Sequence, residues 1–399
     1  MARSPFRSFW LGGFESATHL TGCGERLDLL DATQHDRFVA ADYARARTVG
    51  IDTVRDTMRW HLIERTPGQY DFSSVAPFLD ASQTQGVQVI WDLLHYGVPC
   101  DVDLFSPTFP DRFAAFAGAA ARYVRDWSSD APCYTPINEV SFLSWAAAEV
   151  GWMHPCAYGR GLELKRQLVR AWVAAAAAIR AVDARACLVS AEPLIHVVPP
   201  LGVEDDGGHA AAKRASQWEA WDMITGAREP ELGGSAAALD VIGVNFYHDN
   251  QWEAPGGEKI AWHLQPRDSR WVPLHHLLIE TWRRYGRPLC VAETSHVGIG
   301  RSEWIREMTD EVCLALGTGV PVEGICLYPI IDRCDWNDPL HWHNSGLWDL
   351  VREPDGTWRR ELCVPYAEEL ARCQQRVHLV RDAVALRPVV VERRRAEPA

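Results

Sequence analysis

Eight short apolar runs alternate with longer helix-forming stretches along almost the whole chain, and few folds can accommodate that rhythm. The runs cover residues 9–14, 51–57, 87–93, 132–137, 186–190, 239–245, 288–292 and 324–328. Each is bounded by turn residues and too short to be a helix, as expected of a strand buried on both faces. Between them, residues 111–127, 162–182, 273–285 and 302–316 carry the Ala, Leu, Arg and Glu content and apolar spacing of helices laid against a sheet. Gly50, Gly86 and Gly286 each fall between a helical stretch and the next run, where a left-handed cap is expected. Parallel strands joined by helical crossovers follow. Eight such units predict an α/β fold, a single (β/α)8 TIM barrel with long βα loops at its C-terminal face. A doubly wound open sheet uses the same alternation, but no glycine-rich phosphate loop follows the first run.

Residues 1–385 are expected to form this barrel and residues 386–399, with Arg393, Arg394 and Arg395, a charged C-terminal tail. Residues 202–208 and 251–270 are rich in Gly, Pro and charge and are predicted to be long loops at the barrel mouth. A formal charge of −13, from 40 basic and 53 acidic residues, argues against a nucleic-acid partner, because gripping a phosphate backbone relies on clustered Lys and Arg. No run approaches the ~20 apolar residues of a membrane span, so no membrane partner is expected. Eleven scattered cysteines, an odd number without a Cys-x-x-Cys pair, suit reduced thiols packed as small hydrophobes and a cytoplasmic location.

Chemistry in a barrel of this kind sits where strands end at the carboxyl face. The run ends are rich in carboxylates: Glu15 after the first, Asp92 with His95 at the third, Asn138 and Glu139 after the fourth, Glu192 after the fifth, Asn245 at the sixth and Glu293 after the seventh. Cleaving a glycosidic bond needs one protonated carboxyl for the leaving oxygen and one ionised carboxylate for the anomeric carbon. Two facing glutamates would supply them. Any single acid here, Glu15 or Glu192 especially, could equally be a salt-bridge partner at the mouth.

Several motifs in register resemble glycoside hydrolase family 1, the β-glucosidase and β-galactosidase family of clan A. They are FWLGGFESATHLTG at 9–22, VRDTMRWHLI at 54–63, LLHYGVP at 93–99, PINEV at 136–140, GVNFY at 243–247, VAETS at 291–295 and YPIIDRCDW at 328–336, followed by SGLWD at 345–349. The resemblance covers roughly residues 9 to 350 and implies a divergent retaining exo-β-glycosidase with Glu139 as acid/base and Glu293 as nucleophile. It places Arg55 and Tyr247 beside the nucleophile, and His19, His95, Asn138, Tyr328, Asp335 and Trp336 around the sugar, with Trp60 on a matching Trp. It implies a small-molecule glycoside or oligosaccharide as partner, no cofactor and no metal. Val140, Thr294, Ser295, Tyr328 and Asp335 depart from the family pattern, which leaves the sugar open; an acid at 335 disfavours a sugar 6-phosphate.

Three other functions compete. A transglycosylase or endo-glycanase would use the same two glutamates. A non-catalytic carbohydrate-binding barrel would need neither, and an oxidoreductase or aldolase barrel would want a nucleotide loop or a strand-end lysine, of which the sequence has neither. Asp338, His341 and His343 form a superficially metal-like triplet, but Pro339 and a loop position supply no geometry to align them.

Overall fold

The structure, a computed structural model, describes residues 4–386. Strands form at all eight expected places: β1 (Trp10–Gly13), β2 (Thr53–Thr57), β3 (Gln88–Asp92), β4 (Cys133–Thr135), β5 in two pieces (Cys187–Leu188 and Glu192–Pro193), β6 (Ile242–Asn245), β7 (Leu289–Thr294) and β8 (Val322–Leu327). Neighbours pair in parallel, and β1 pairs with both β2 and β8. The first piece of β5 pairs with β4 and the second with β6, with Val189 bridging to Val241 between them. The sheet therefore returns on itself as a (β/α)8 barrel, and β5 is broken where the ring closes.

Side chains of the strands divide between two apolar clusters. Trp10, Val89, Trp91, Tyr134, Leu188, Ile242, Val244, Val291, Ile325 and Leu327 join the large outer core under the helices. Leu11, Ile90, Cys133, Val189, Val241, Cys290, Ala292, Cys326 and Tyr328 form the inner one. Three thiols and an alanine stand among the branched and aromatic side chains that fill the interior of the eight-stranded barrel. All eleven cysteines are unpaired.

The anticipated crossover helices run over Phe109–Trp127, Gly161–Val182, Leu274–Tyr285 and Arg301–Gly317. Gly86 and Gly286 cap the helices Ala76–Gln85 and Leu274–Tyr285 in the left-handed region, and Gly50 has a positive φ one residue past its helix cap. Two pieces of the mouth differ from expectation. The stretch predicted as loop from 251 opens with a strand, Gln251–Glu253, which pairs in parallel with His196–Val198. An antiparallel hairpin, Trp348–Arg352 with Trp358–Leu362, and a long helix, Val364–Ala385, close the described chain. Among the described residues no helix is long and apolar enough to cross a membrane. The charged tail expected from 386 lies, beyond that first residue, outside the described residues.

Candidate active site

A cavity of about 1310 Å³ opens at the carboxyl ends of the strands, lined by Glu15, His95, Tyr96, Glu139, Tyr247, Glu293, Tyr328, Asp335 and Trp336 among others. Glu293 reaches it through an irregularity. Strict alternation after the inward Cys290 and Ala292 would turn Glu293 outward, but β7 shifts register against β6 between Val291 and Glu293. Such a bulge re-aims a side chain, and here it delivers the carboxylate to the mouth. On β4 the backbone takes over: Asn138 N–H donates to Leu94 O at 2.9 Å and Glu139 N–H to Ala191 O at 2.8 Å. Glu139 then adopts φ 46°, a left-handed conformation unusual outside glycine, before the helix Val140–Ser144 begins.

The two carboxyls meet different partners. Glu293 accepts from Arg55 Nη1 at 2.5 Å and from Tyr247 Oη at 2.8 Å. Arg55, nearly fully buried, also grips Asp92 through Nε at 2.9 Å and Nη2 at 2.7 Å, so one guanidinium serves two carboxylates. Those neighbours outweigh the desolvation that opposes its charge, and its pKa is raised further. Glu139 has no cation. It accepts from Asn245 Nδ2 at 2.7 Å and from Tyr96 Oη at 2.5 Å. Burial first, then the charge of Glu293, hold its carboxyl well above the ordinary carboxylate range.

Several expected residues lie together with these. His95 Nδ1 lies 2.9 Å from Asp92 and its Nε2 lies 3.0 Å from Asn138 Nδ2. With the amide donating, Nδ1 carries the proton toward Asp92. Tyr328 is buried, its ring parallel to His95 and 5.2 Å from the Arg55 guanidinium. A Cβ on Gly13 would sit 2.0 Å from that ring, so β1 needs glycine there. Trp336 packs against Trp152, Phe142, Tyr96 and His19. Side-chain polar atoms of Tyr328, Trp336 and His19 have no partner within the protein.

The remaining expected residues are divided between the cavity lining and the core. His19 is buried and does not line the cavity; burial, then His95 and Arg26, depress its pKa to about 4, so it is neutral. Trp60 is core, fully buried against Phe116 with its Nε1 on Glu64. Asp335 lines the cavity, but its Oδ1 accepts from the backbone of Asn337 and Asp338. Glu15 pairs with Arg333 at 3.1 Å. Glu192 is buried behind Glu139, accepts from Ser141 N–H at 3.0 Å, and has its pKa raised by burial to about 7. Among the described residues no three His, Cys, Asp or Glu side chains gather as a metal set; His341 and His343 lie ring to ring at 5.1 Å. Sequence reasoning missed Tyr96, although it lies within the LLHYGVP stretch, and the aromatic side chains Phe142, Trp145 and Trp152 on the same cavity wall.

No protein-family model and no curated protein matches the chain. Solved structures do. The family 1 β-glucosidase from Thermotoga maritima superposes with a TM-score of 0.74 at 12% identity, covering 92% of this chain and 97% of that one. The β-glucosidase from the same organism in complex with glucoimidazole gives 0.74 at 13%, covering 93% and 98%. This chain has the fold of the family 1 β-glucosidases. The AHE enzyme from Alicyclobacillus herbarius shares that fold too, with a TM-score of 0.71 at 16% identity over 87% of this chain and 88% of that one.

Proposed function

We propose that the chain is a retaining exo-β-glycosidase, with Glu293 as nucleophile and Glu139 as acid/base. The observation that carries this reading is the unequal treatment of two carboxyls in one cavity. Arg55 and Tyr247 donate to Glu293, whereas Glu139 is buried without a cation and keeps its proton. In the first step Glu139 gives that proton to the leaving oxygen while Glu293 bonds to the anomeric carbon. Esterification removes the negative charge of Glu293, Glu139 becomes the stronger acid, and it can accept a proton from water in the second step.

Around the sugar, His95, Tyr328, Asp335 and Trp336 line the cavity and are the residues for glycone hydroxyls and the apolar ring face; Asn138 supports them from behind. A cavity of about 1310 Å³ exceeds what one monosaccharide fills, which supports an oligosaccharide or a glycoside with a large aglycone. The decisive experiment is Glu293→Ala assayed on aryl β-glycosides. Turnover should vanish and azide should restore it with inverted product configuration; turnover at the wild-type rate would reject the assignment.

A further inference from the structure

Tyr96 stands immediately after the His95 that faces Asp92, in a left-handed conformation (φ 67°) that an aromatic residue rarely adopts. The next residue, Gly97, is pressed so closely on Thr18 that a Cβ would lie 2.0 Å from its hydroxyl, so the backbone is pinned on this side. The ring packs among His95, His19, Phe142 and Trp336, contacts a phenylalanine would make equally well. What phenylalanine would lack is the hydroxyl, and that group is bonded on both sides. Asn138 Nδ2 donates to it at 2.8 Å, and it donates to Glu139 Oε2 at 2.5 Å.

The sense of these bonds is not free. A guanidinium has donors only, so Asn138 must turn its Oδ1 to Arg55 Nη2, at 2.5 Å, and its amide nitrogen away. That nitrogen then donates to Tyr96 Oη, and the phenol proton is left to point at Glu139. Since Arg55 Nη1 also donates to Glu293, a continuous chain of hydrogen bonds links the two carboxyls, its donors pointing outward from Arg55: to Glu293 on one side, and through Asn138 and Tyr96 to Glu139 on the other.

We propose that Tyr96 is a positioning residue for proton transfer at Glu139, donating to Oε2 while Asn245 donates to Oε1, and tying Glu139 to the state of Glu293. The catalytic meaning of that proton rests on the glycosidase reading; the coupling does not. The groups facing Glu139 are Tyr96 beyond β3, Glu192 on β5 with Lys165 near it, Asn245 on β6, Tyr247 just after β6, and Glu293 on β7. Among them, Tyr96 and Asn245 are the hydrogen-bond donors to its carboxyl, and both favour the ionised form.

The test follows the protonated-carboxyl infrared band of Glu139, identified as the band missing from Glu139→Gln, through a pH titration. Loss of a donor to the carboxylate in Tyr96→Phe should raise the midpoint by about one unit or more. A monofluorotyrosine at position 96, a stronger donor of nearly the same shape, should lower it, and it serves alone should the phenylalanine variant not fold. A midpoint that moves in neither variant overturns the proposal. Where the wild-type enzyme turns over an aryl glycoside, the alkaline limb of kcat/KM should move upward with the midpoint in Tyr96→Phe. Absence of turnover by the wild type on every such glycoside would count against the glycosidase reading and leave the infrared result standing.

Discussion

The Glu293 wall and the Glu139 wall of the cavity are built from similar parts to opposite electrical effect. On one side a buried arginine is shared by Glu293 and Asp92; on the other, Glu139 has neutral donors in front and a second buried carboxyl, Glu192, behind. The carboxyl left without a cation is the one whose proton affinity is raised, by burial first and then by the charge of Glu293. The strongest way to break this contrast is Arg55→Met. It strands two buried carboxylates without their cation, and turnover should fall by at least about a thousandfold, with a stability loss of about 3–5 kcal/mol in urea unfolding. Near-wild-type kinetics would mean that the guanidinium does not set the asymmetry.

Tyr247→Phe removes one bond to the Glu293 carboxylate and leaves the ring in place. A fall of about tenfold to a hundredfold in kcat on an aryl glycoside, without a change in unfolding midpoint, is expected from the strength of a hydrogen bond to a charged acceptor. An unchanged kcat would remove the phenol from the mechanism.

Glu192 sharpens the other wall. Its folded pKa of about 7 stands above the reference 4.5, so the folded chain binds the proton more tightly than the unfolded one. The stability this contributes is complete below about 4.5 and is lost as pH rises to about 7. Glu192→Gln should therefore flatten the decline of the thermal unfolding midpoint over that window, by up to about 3 kcal/mol at its upper end. Identical pH profiles for the two proteins would contradict the burial argument. The smallest effect is expected at the rim, where Trp152 is 39% exposed. Trp152→Ala should raise KM for a large aglycone by less than about tenfold and leave kcat in place.

Sequence made the strands legible because a parallel strand buried on both faces leaves a continuous apolar run, and eight such runs predict the same architecture whatever their exact ends. β5 shows the limit: its run ends at 190, yet the chain rejoins the sheet at Glu192–Pro193, where it pairs with β6. The hairpin Trp348–Arg352 with Trp358–Leu362 carried a local signal, Asp355-Gly356 between two alternating segments, that could have revealed it. His196–Val198 and Gln251–Glu253 carried none, since their pairing joins residues more than fifty positions apart. At the site, strand-end carboxylates could be found by position. The link from Tyr96 to Glu139 could not, because it depends on two left-handed residues and on the sense of an amide that Arg55 dictates from another strand.

The sulfur-lined barrel interior carries a further consequence. Cys133, Cys290 and Cys326 are sealed inside the ring of strands, while Cys23 and Cys100 stand in solvent. A thiol reagent would therefore tag Cys23 and Cys100 first and Cys133, Cys290 and Cys326 only when the ring opens, so labelling followed at those three positions is a clock for whole-barrel opening under native conditions.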